Sequence, residues 1–402
     1  MHACGVVVEY NPFHHGHLYH LQKTKELTKA DCIVAVMSGS FLQRGEPAII
    51  DKFHRTKAAL AGGADIVIEL PYAYAVQSSE LFAKGAILSL HALGVSSICF
   101  GSESGQIEPF LKTIAYLNEQ QQFFDEKIKT YLKQGYSYPK ASNEAFQEIG
   151  LTEIDMMKPN NILGYSYVKT ISQYQLPIKP FTIKRIQNDY HDQTIHSNIA
   201  SATSIRNELF THHFTENTRK TIPTFSIEEL VQYENKTNMW HHWSHYFPYL
   251  TYQILSQSVE QLSHIHGIDE GLEYRIKKEI HEATSFDDLI DRVKSKRYTH
   301  VRLQRVFTHI LTNTKKKDVS PFTNTDTVPY VRLLGMNETG QQFLNEQKKL
   351  IDVPLITNLN KKIASLTQLD EKGTQIYYSI LPPAKRKLLL KQEFSLPIRS
   401  MN

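Results

Sequence analysis

Four short apolar runs, each followed by a stretch of helical period, constrain the fold of this chain more than any other feature. Residues 4–9, 32–37, 65–70 and 97–100 are rich in Val, Ile, Leu, Cys and Met. Their near-continuous apolar character is that of strands covered on both faces, as in a parallel sheet between helical layers. The intervening segments supply the helices. Residues 16–27 follow the turn Tyr10-Asn11-Pro12; Asp51 can cap a helix that Gly62-Gly63 ends; residues 78–93 are amphipathic and stop at Gly94. Residues 107–133 read as a further helix, another begins at Asn160-Asn161, residues 180–186 form a fifth strand, and residues 201–210 turn from small polar residues into a helix. Ligands of such sheets bind beyond the carboxyl ends of the strands. The loops 10–17, 38–45 and 101–105 are therefore predicted on one rim.

After Ser226 the chain changes character. Helical periodicity recurs over 227–233, 240–256, 276–284, 286–293 and 298–311, with few strand signals. The polar, Pro223-containing segment 211–225 sets the expected boundary. The prediction is an α/β chain: a Rossmann-like nucleotidylyl-transferase domain with a parallel sheet over 1–220, then a mostly α-helical domain over 221–402. At 402 residues both can hold a core. A hydrophobic fraction of 41% with 21% charged residues is that of an ordinary soluble protein, and the longest apolar runs are too short to cross a bilayer. No export signal is legible at the N-terminus, and Cys4, Cys32 and Cys99 form no Cys-x-x-Cys pair. Buried thiols in a reducing cytoplasm, away from membranes, are expected.

The chemistry concentrates in Asn11-Pro12-Phe13-His14-His15-Gly16-His17, directly after the first strand and opening the first helix. A helix N-terminus offers unpaired N–H groups and positive dipole to a phosphate chain. Gly16 lets the backbone approach, and His14 and His17 can donate hydrogen bonds to oxygens that gain charge as an α-phosphorus is attacked. A helix-capping His pair is the plain structural alternative. Weaker signals are Gly101-Ser102-Glu103, which can meet adenine or ribose, and Lys184-Arg185 with Ser201-Ala202-Thr203-Ser204-Ile205-Arg206, where Arg206 is a candidate phosphate contact; a turn, a cap and a surface arginine explain these equally well.

The net charge of +4 identifies no partner, but Lys294, Lys296, Arg297, Arg302, Arg305 and Lys315–Lys317 are interleaved with Tyr298, His300, Phe307 and His309. Such a face suits RNA, and equally a solvated surface. His241, His242 and His245 have helical spacing but no accompanying carboxylate, so aromatic packing rather than metal binding is expected. P-loop and Gly-x-Ser-x-Gly motifs are absent.

The segment Gly5-Val6-Val7-Val8-Glu9-Tyr10-Asn11-Pro12-Phe13-His14-His15-Gly16-His17-Leu18-Tyr19-His20 resembles the bacterial tRNA(Met) cytidine acetate ligases. So do residues 37–47, Phe100-Gly101-Ser102-Glu103, Pro159-Asn160-Asn161-Ile162-Leu163-Gly164, Ile183-Lys184-Arg185 and, more softly, Arg297-Tyr298-Thr299 and residues 332–337. The resemblance implies an ATP-dependent ligase. It would form acetyl-adenylate from acetate and ATP, with Mg2+ on the triphosphate. It would then acetylate N4 of the wobble cytidine in elongator tRNA(Met), releasing AMP. It implies ATP contacts from residues 7–20 (Val7 to His20), Gly101, Asn161 and Arg185, with the choice between Asn160 and Asn161 open. The lysine-rich signature loop of class I tRNA synthetases is missing, so Arg185 or Arg206 would take its role. The residues themselves also admit a small-molecule adenylyltransferase, or a non-catalytic RNA-binding factor that keeps a nucleotide fold.

Overall fold

A computed structural model describes residues 1–400 apart from 137, 149, 151–153 and 186–199. Eight strands form one sheet: β1 (Ala3–Val8), β2 (Cys32–Ser38), β3 (Ile66–Leu70), β4 (Ser97–Ser102), β5 (Lys179–Lys184), β6 (Val331–Met336), β7 (Leu355–Ile356) and β8 (Ile398–Arg399). Their order is β5-β4-β1-β2-β3-β6-β7, with β8 beside β6. β1 to β5 are mutually parallel, as expected from the apolar runs. Side-chain alternation divides each strand between two cores. Val34, Val36, Ile66 and Ile68 enter one, whereas Ile33, Ala35, Met37, Cys4, Val6 and Val8 enter the other. All three cysteines are buried and free.

The chain runs β1, β2, β3 in one direction across the sheet and then returns to place β4 on the other side of β1. The order reverses between β1 and β4, which opens a crevice at their carboxyl ends. The helix His15–Thr28 starts at that crevice and the helix Pro159–Gln173 flanks it.

The segment 211–225, where the boundary was expected, carries the helix Glu216–Thr221, capped by Thr215, and Pro223 stands at the N-cap position of the helix Thr224–Thr237. Residues on both sides of position 220 pack together. Ile205 and Leu209 share one core with Leu230, Tyr233, Tyr246, Phe307 and with Phe41, Leu42 and Ile49. The C-terminal part is mostly helical, and it also adds strands to the sheet: β6 joins β3 antiparallel and brings β7 and β8 with it. β6 lacks the strand–helix alternation that announces the others, and its six residues are wholly buried against an existing edge.

Charges lock this return. Lys52 lies 2.8 Å from Glu69 and 3.0 Å from Glu393; Arg332 lies 3.0 Å from Glu69 and also pairs with Glu393. The four side chains are at most 4% exposed and come from the helix Lys52–Ala61, β3, β6 and the C-terminal segment. Glu69→Gln leaves two buried cations sharing one carboxylate. It is expected to cost about 3–5 kcal/mol in urea unfolding; an unchanged unfolding midpoint would show that the network does not hold the C-terminal strands.

Candidate nucleotide-transfer site

The loop from β1 into the helix His15–Thr28 is built by its own histidines. His14 is the N-cap, in extended conformation, and its Nδ1 accepts a hydrogen bond from the Gly16 N–H at 3.0 Å. The His14 N–H in turn donates to His17 Nδ1 at 3.3 Å. Each ring thus satisfies an N–H that the helix cannot. A neutral imidazole that accepts at Nδ1 carries its proton on Nε2, so both rings are left with an Nε2–H donor. The rings stack at 3.8 Å, with Tyr10 and Phe13 against His17. Burial, reinforced by Arg185, His15 and Arg206, pushes the His14 imidazole down to about 3. Burial, with His14 and Arg185 nearby, also holds His17 well below its ordinary value, and burial with Arg185 brings His20 down to about 4. The pair therefore acts as neutral donors. The first turn of the helix carries no acidic side chain, which leaves its positive end uncompensated.

The loop backbone is held from outside. Arg55, fully buried, donates to the carbonyls of Glu9 at 2.7 Å and Ser38 at 2.9 Å, and to those of Gly39 and Ile50. Arg206 donates to the Asn11 carbonyl at 2.8 Å and pairs with Glu46 at 2.7 Å. The Ser226 hydroxyl donates to the Phe13 carbonyl, and the Ile49 N–H donates to Asn11 Oδ1. Sequence reasoning missed Arg55, Glu46 and Ser226. An arginine inside an amphipathic helix gives no sign of which carbonyls it will reach. Arg206 is brought to the loop, but as a brace.

Across the crevice, the Arg185 stem runs over Gly101, where an added Cβ would lie 3.1 Å from Arg185 Cγ. Arg185 Nη1 donates to Asn160 Oδ1 at 2.7 Å, and Asn160 Nδ2 donates to Glu103 Oε1 at 2.8 Å. Asn161, buried, accepts from the Glu103 N–H and donates to the Asp155 carbonyl. Both asparagines therefore shape the turn after β4. Ile186, the expected last residue of the fifth strand, lies outside the described residues.

The basic stretch is partly neutralised. Arg297 pairs with Glu270, and Arg302 stacks over Tyr298 at 4.5 Å and lies 3.7 Å from Asp269. Burial pulls Arg305 down to about 10. Its helix, His300–Leu311, packs against the loop after β2. There Gly45 (φ +83°) approaches so closely that a Cβ would lie 2.7 Å from the Gln304 carbonyl. Lys294 and Lys296 are exposed. His241 is buried between the Tyr233 and Tyr246 hydroxyls and stacks on Tyr377 at 3.7 Å, an aromatic packing role. Among the described residues, no three His, Cys, Asp or Glu side chains converge on a metal position, and no helix is long and apolar enough to cross a membrane.

A parallel sheet with a reversal of strand order, and a His-x-Gly-His helix start at that reversal, define a nucleotidyl transferase. The HIGH Nucleotidyl Transferase family model matches residues 1–393. The tRNA(Met) cytidine acetate ligase of Oceanobacillus iheyensis is 49% identical over 405 residues, covering 99% of this chain and 100% of that protein. The ligase of the same name from Bacillus subtilis is 45% identical, covering 99% and 97%. The crystal structure of apo Thermotoga maritima TmcAL superposes with a TM-score of 0.92 at 34% identity, with 100% of both chains covered. The same protein bound with alpha-thio ATP gives 0.91 at 33%. This chain belongs to the tRNA(Met) cytidine acetate ligase family.

The buried neutral histidines make stability pH-dependent. Folding lowers the affinity of His14, His17, His20, His241 and His309 for protons, so the unfolded chain binds more of them below pH 6.5. Stability is complete above that value and is lost as pH falls, by up to about 1.4 kcal/mol per pH unit for each ring. Burial raises Asp370 to about 6 and also raises Glu9, which offsets part of the loss. The urea midpoint is expected to drop between pH 7.5 and 5.5; a flat profile would mean that the rings are protonated in the folded state.

Proposed function

We infer that the chain joins acetate to N4 of the wobble cytidine of elongator tRNA(Met) at the expense of ATP, by way of acetyl-adenylate. The observation that carries this reading is the reciprocal capping of His14 and His17, which engages both Nδ1 atoms and leaves two Nε2–H donors at the start of the helix. In the proposed course the segment 7–20 holds the nucleotide, with its triphosphate on the N-terminus of the helix His15–Thr28 and away from Glu9. Adenosine is received by the turn at Gly101 and by Asn161. Acetate oxygen attacks the α-phosphorus; that P–O bond forms as the bond to pyrophosphate breaks. The Nε2–H groups stabilise the charge gained by the phosphate oxygens. Arg185 faces the departing pyrophosphate, while Arg206 keeps the loop in place. Cytidine N4 then attacks the acetyl carbon and AMP leaves.

Mg2+ would enter on the triphosphate, and when bound it neutralises phosphate charge. The donors gathered here are imidazole N–H, guanidinium and backbone N–H groups, which suit anions. The residues do not form a dedicated cation cage, and no step is routed through the ion. The exposed Lys294 and Lys296, with Arg297 and the half-exposed Arg302, are the proposed contacts to the tRNA backbone; Arg305 supports that surface from within. A reducing cytoplasm fits the three buried thiols.

His17→Ala is expected to slow acetate-dependent pyrophosphate–ATP exchange by about 10²–10³-fold while the chain still folds, its melting temperature lowered only by the lost capping bond. Unaltered exchange would remove His17 from the chemistry. Lys294→Ala with Lys296→Ala is expected to weaken tRNA binding and reduce the log–log salt slope by about 1.4–1.8, without slowing exchange. An unchanged slope would mean that the tRNA lies elsewhere.

A further inference from the structure

We propose that Glu9 accepts the exocyclic amine of the target cytidine and takes its proton as the acetyl group is transferred. This rests on the ligase reading above and adds a catalytic base to it. Glu9 follows β1 immediately, on the crevice rim, and remains partly exposed. Its Oε1 accepts from the Gln43 N–H at 2.8 Å, in the loop after β2, and from the hydroxyl of Ser38, the last residue of β2, at 3.3 Å. These two bonds hold the carboxylate through Oε1, and Oε2, which neither bond engages, is the oxygen assigned to the amine. The charged and titratable groups around it are Arg44 and Glu46 from that loop, Arg55 from the helix Lys52–Ala61 and Tyr167 from the helix Pro159–Gln173. Arg55 is committed to backbone carbonyls rather than to this carboxylate.

A carboxylate here requires a reason. The site has to hold a triphosphate and acetate, and a further anion disfavours both. The third substrate is different, because the N4 amine of cytosine is a hydrogen-bond donor and a carboxylate is its natural acceptor. That amine is also weakly nucleophilic and must lose a proton as it reacts. The N4 lone pair forms the C–N bond to the acetyl carbon, the bond from that carbon to the AMP oxygen breaks with its electron pair leaving on AMP, and the N4 proton passes to Glu9 Oε2. His14 and His17 cannot accept it, since each Nδ1 holds a backbone N–H and each Nε2 carries a proton. Glu103 faces the β4 side and is bonded to Asn160. Burial raises the Glu9 carboxyl above its ordinary value, which makes its carboxylate a stronger base. Adenylate formation needs no such base, because acetate is already an anion.

The test compares two rates on the full chain across pH: acetate-dependent pyrophosphate–ATP exchange, and single-turnover acetyl transfer to tRNA(Met). Glu9→Gln is expected to reduce transfer by about 10²–10⁴-fold more than it reduces exchange, and to abolish the acid limb of the transfer profile. Glu9→Asp is expected to keep that limb at a lower rate. Equal losses in the two rates, or an acid limb that survives in Glu9→Gln, would overturn the proposal. If Glu9→Gln does not fold, Glu9→Asp decides it: a loss in transfer exceeding the loss in exchange supports the base, and equal losses overturn it. Wild-type protein without acetate-dependent exchange would overturn the ligase reading and Glu9's role with it, a result distinct from a failure of Glu9 alone.

Discussion

Everything at this site depends on two hydrogen bonds between a pair of imidazoles and the first backbone N–H groups of a helix. A helix N-terminus has to satisfy those N–H groups somewhere. His14 and His17 do so with Nδ1, and the choice settles the rest of their chemistry. The protons sit on Nε2, and burial keeps both rings neutral. The capping motif and the proposed donor pair for a phosphate are the same structure. The two explanations that compete in the sequence are therefore not alternatives.

The loop that carries these rings is held by the remainder of the chain. The carbonyls of Glu9, Asn11 and Phe13 accept hydrogen bonds from Arg55, Arg206 and Ser226, which come from three different helices. Two of those helices, Ala202–His212 and Thr224–Thr237, belong to the core that also holds the basic helix His300–Leu311. The proposed tRNA surface and the proposed ATP loop are thereby parts of one packed body. On the opposite side, the buried set Lys52, Glu69, Arg332 and Glu393 ties the C-terminal strands to the sheet. Breaking a buried ion pair is costly because the remaining charge is stranded, so this closure specifies the return of the chain more sharply than apolar contacts would.

The sequence made the parallel strands and the rim legible because apolar runs and helix caps are local signals. Asp51, Ser201 and the His14 turn lie where the pattern places them. What escaped it is non-local. The six residues of β6 carry no strand–helix alternation in the sequence, and pairing with the edge of β3 makes them a strand. Arg206 was legible as an arginine after a helix start, but its partner Glu46 is 160 positions away. The basic stretch was legible as charge; that Asp269 and Glu270 would neutralise part of it was not.

The most direct test of the central claim is nitrogen-15 NMR of the imidazole rings in protein labelled at histidine, with His14 and His17 assigned by substitution. The account requires both rings to be neutral with the proton on Nε2 at pH 7 and at pH 5.5, and their Nε2–H resonances to shift on adding ATP. Rings protonated on Nδ1, or present as imidazolium at pH 7, would contradict it.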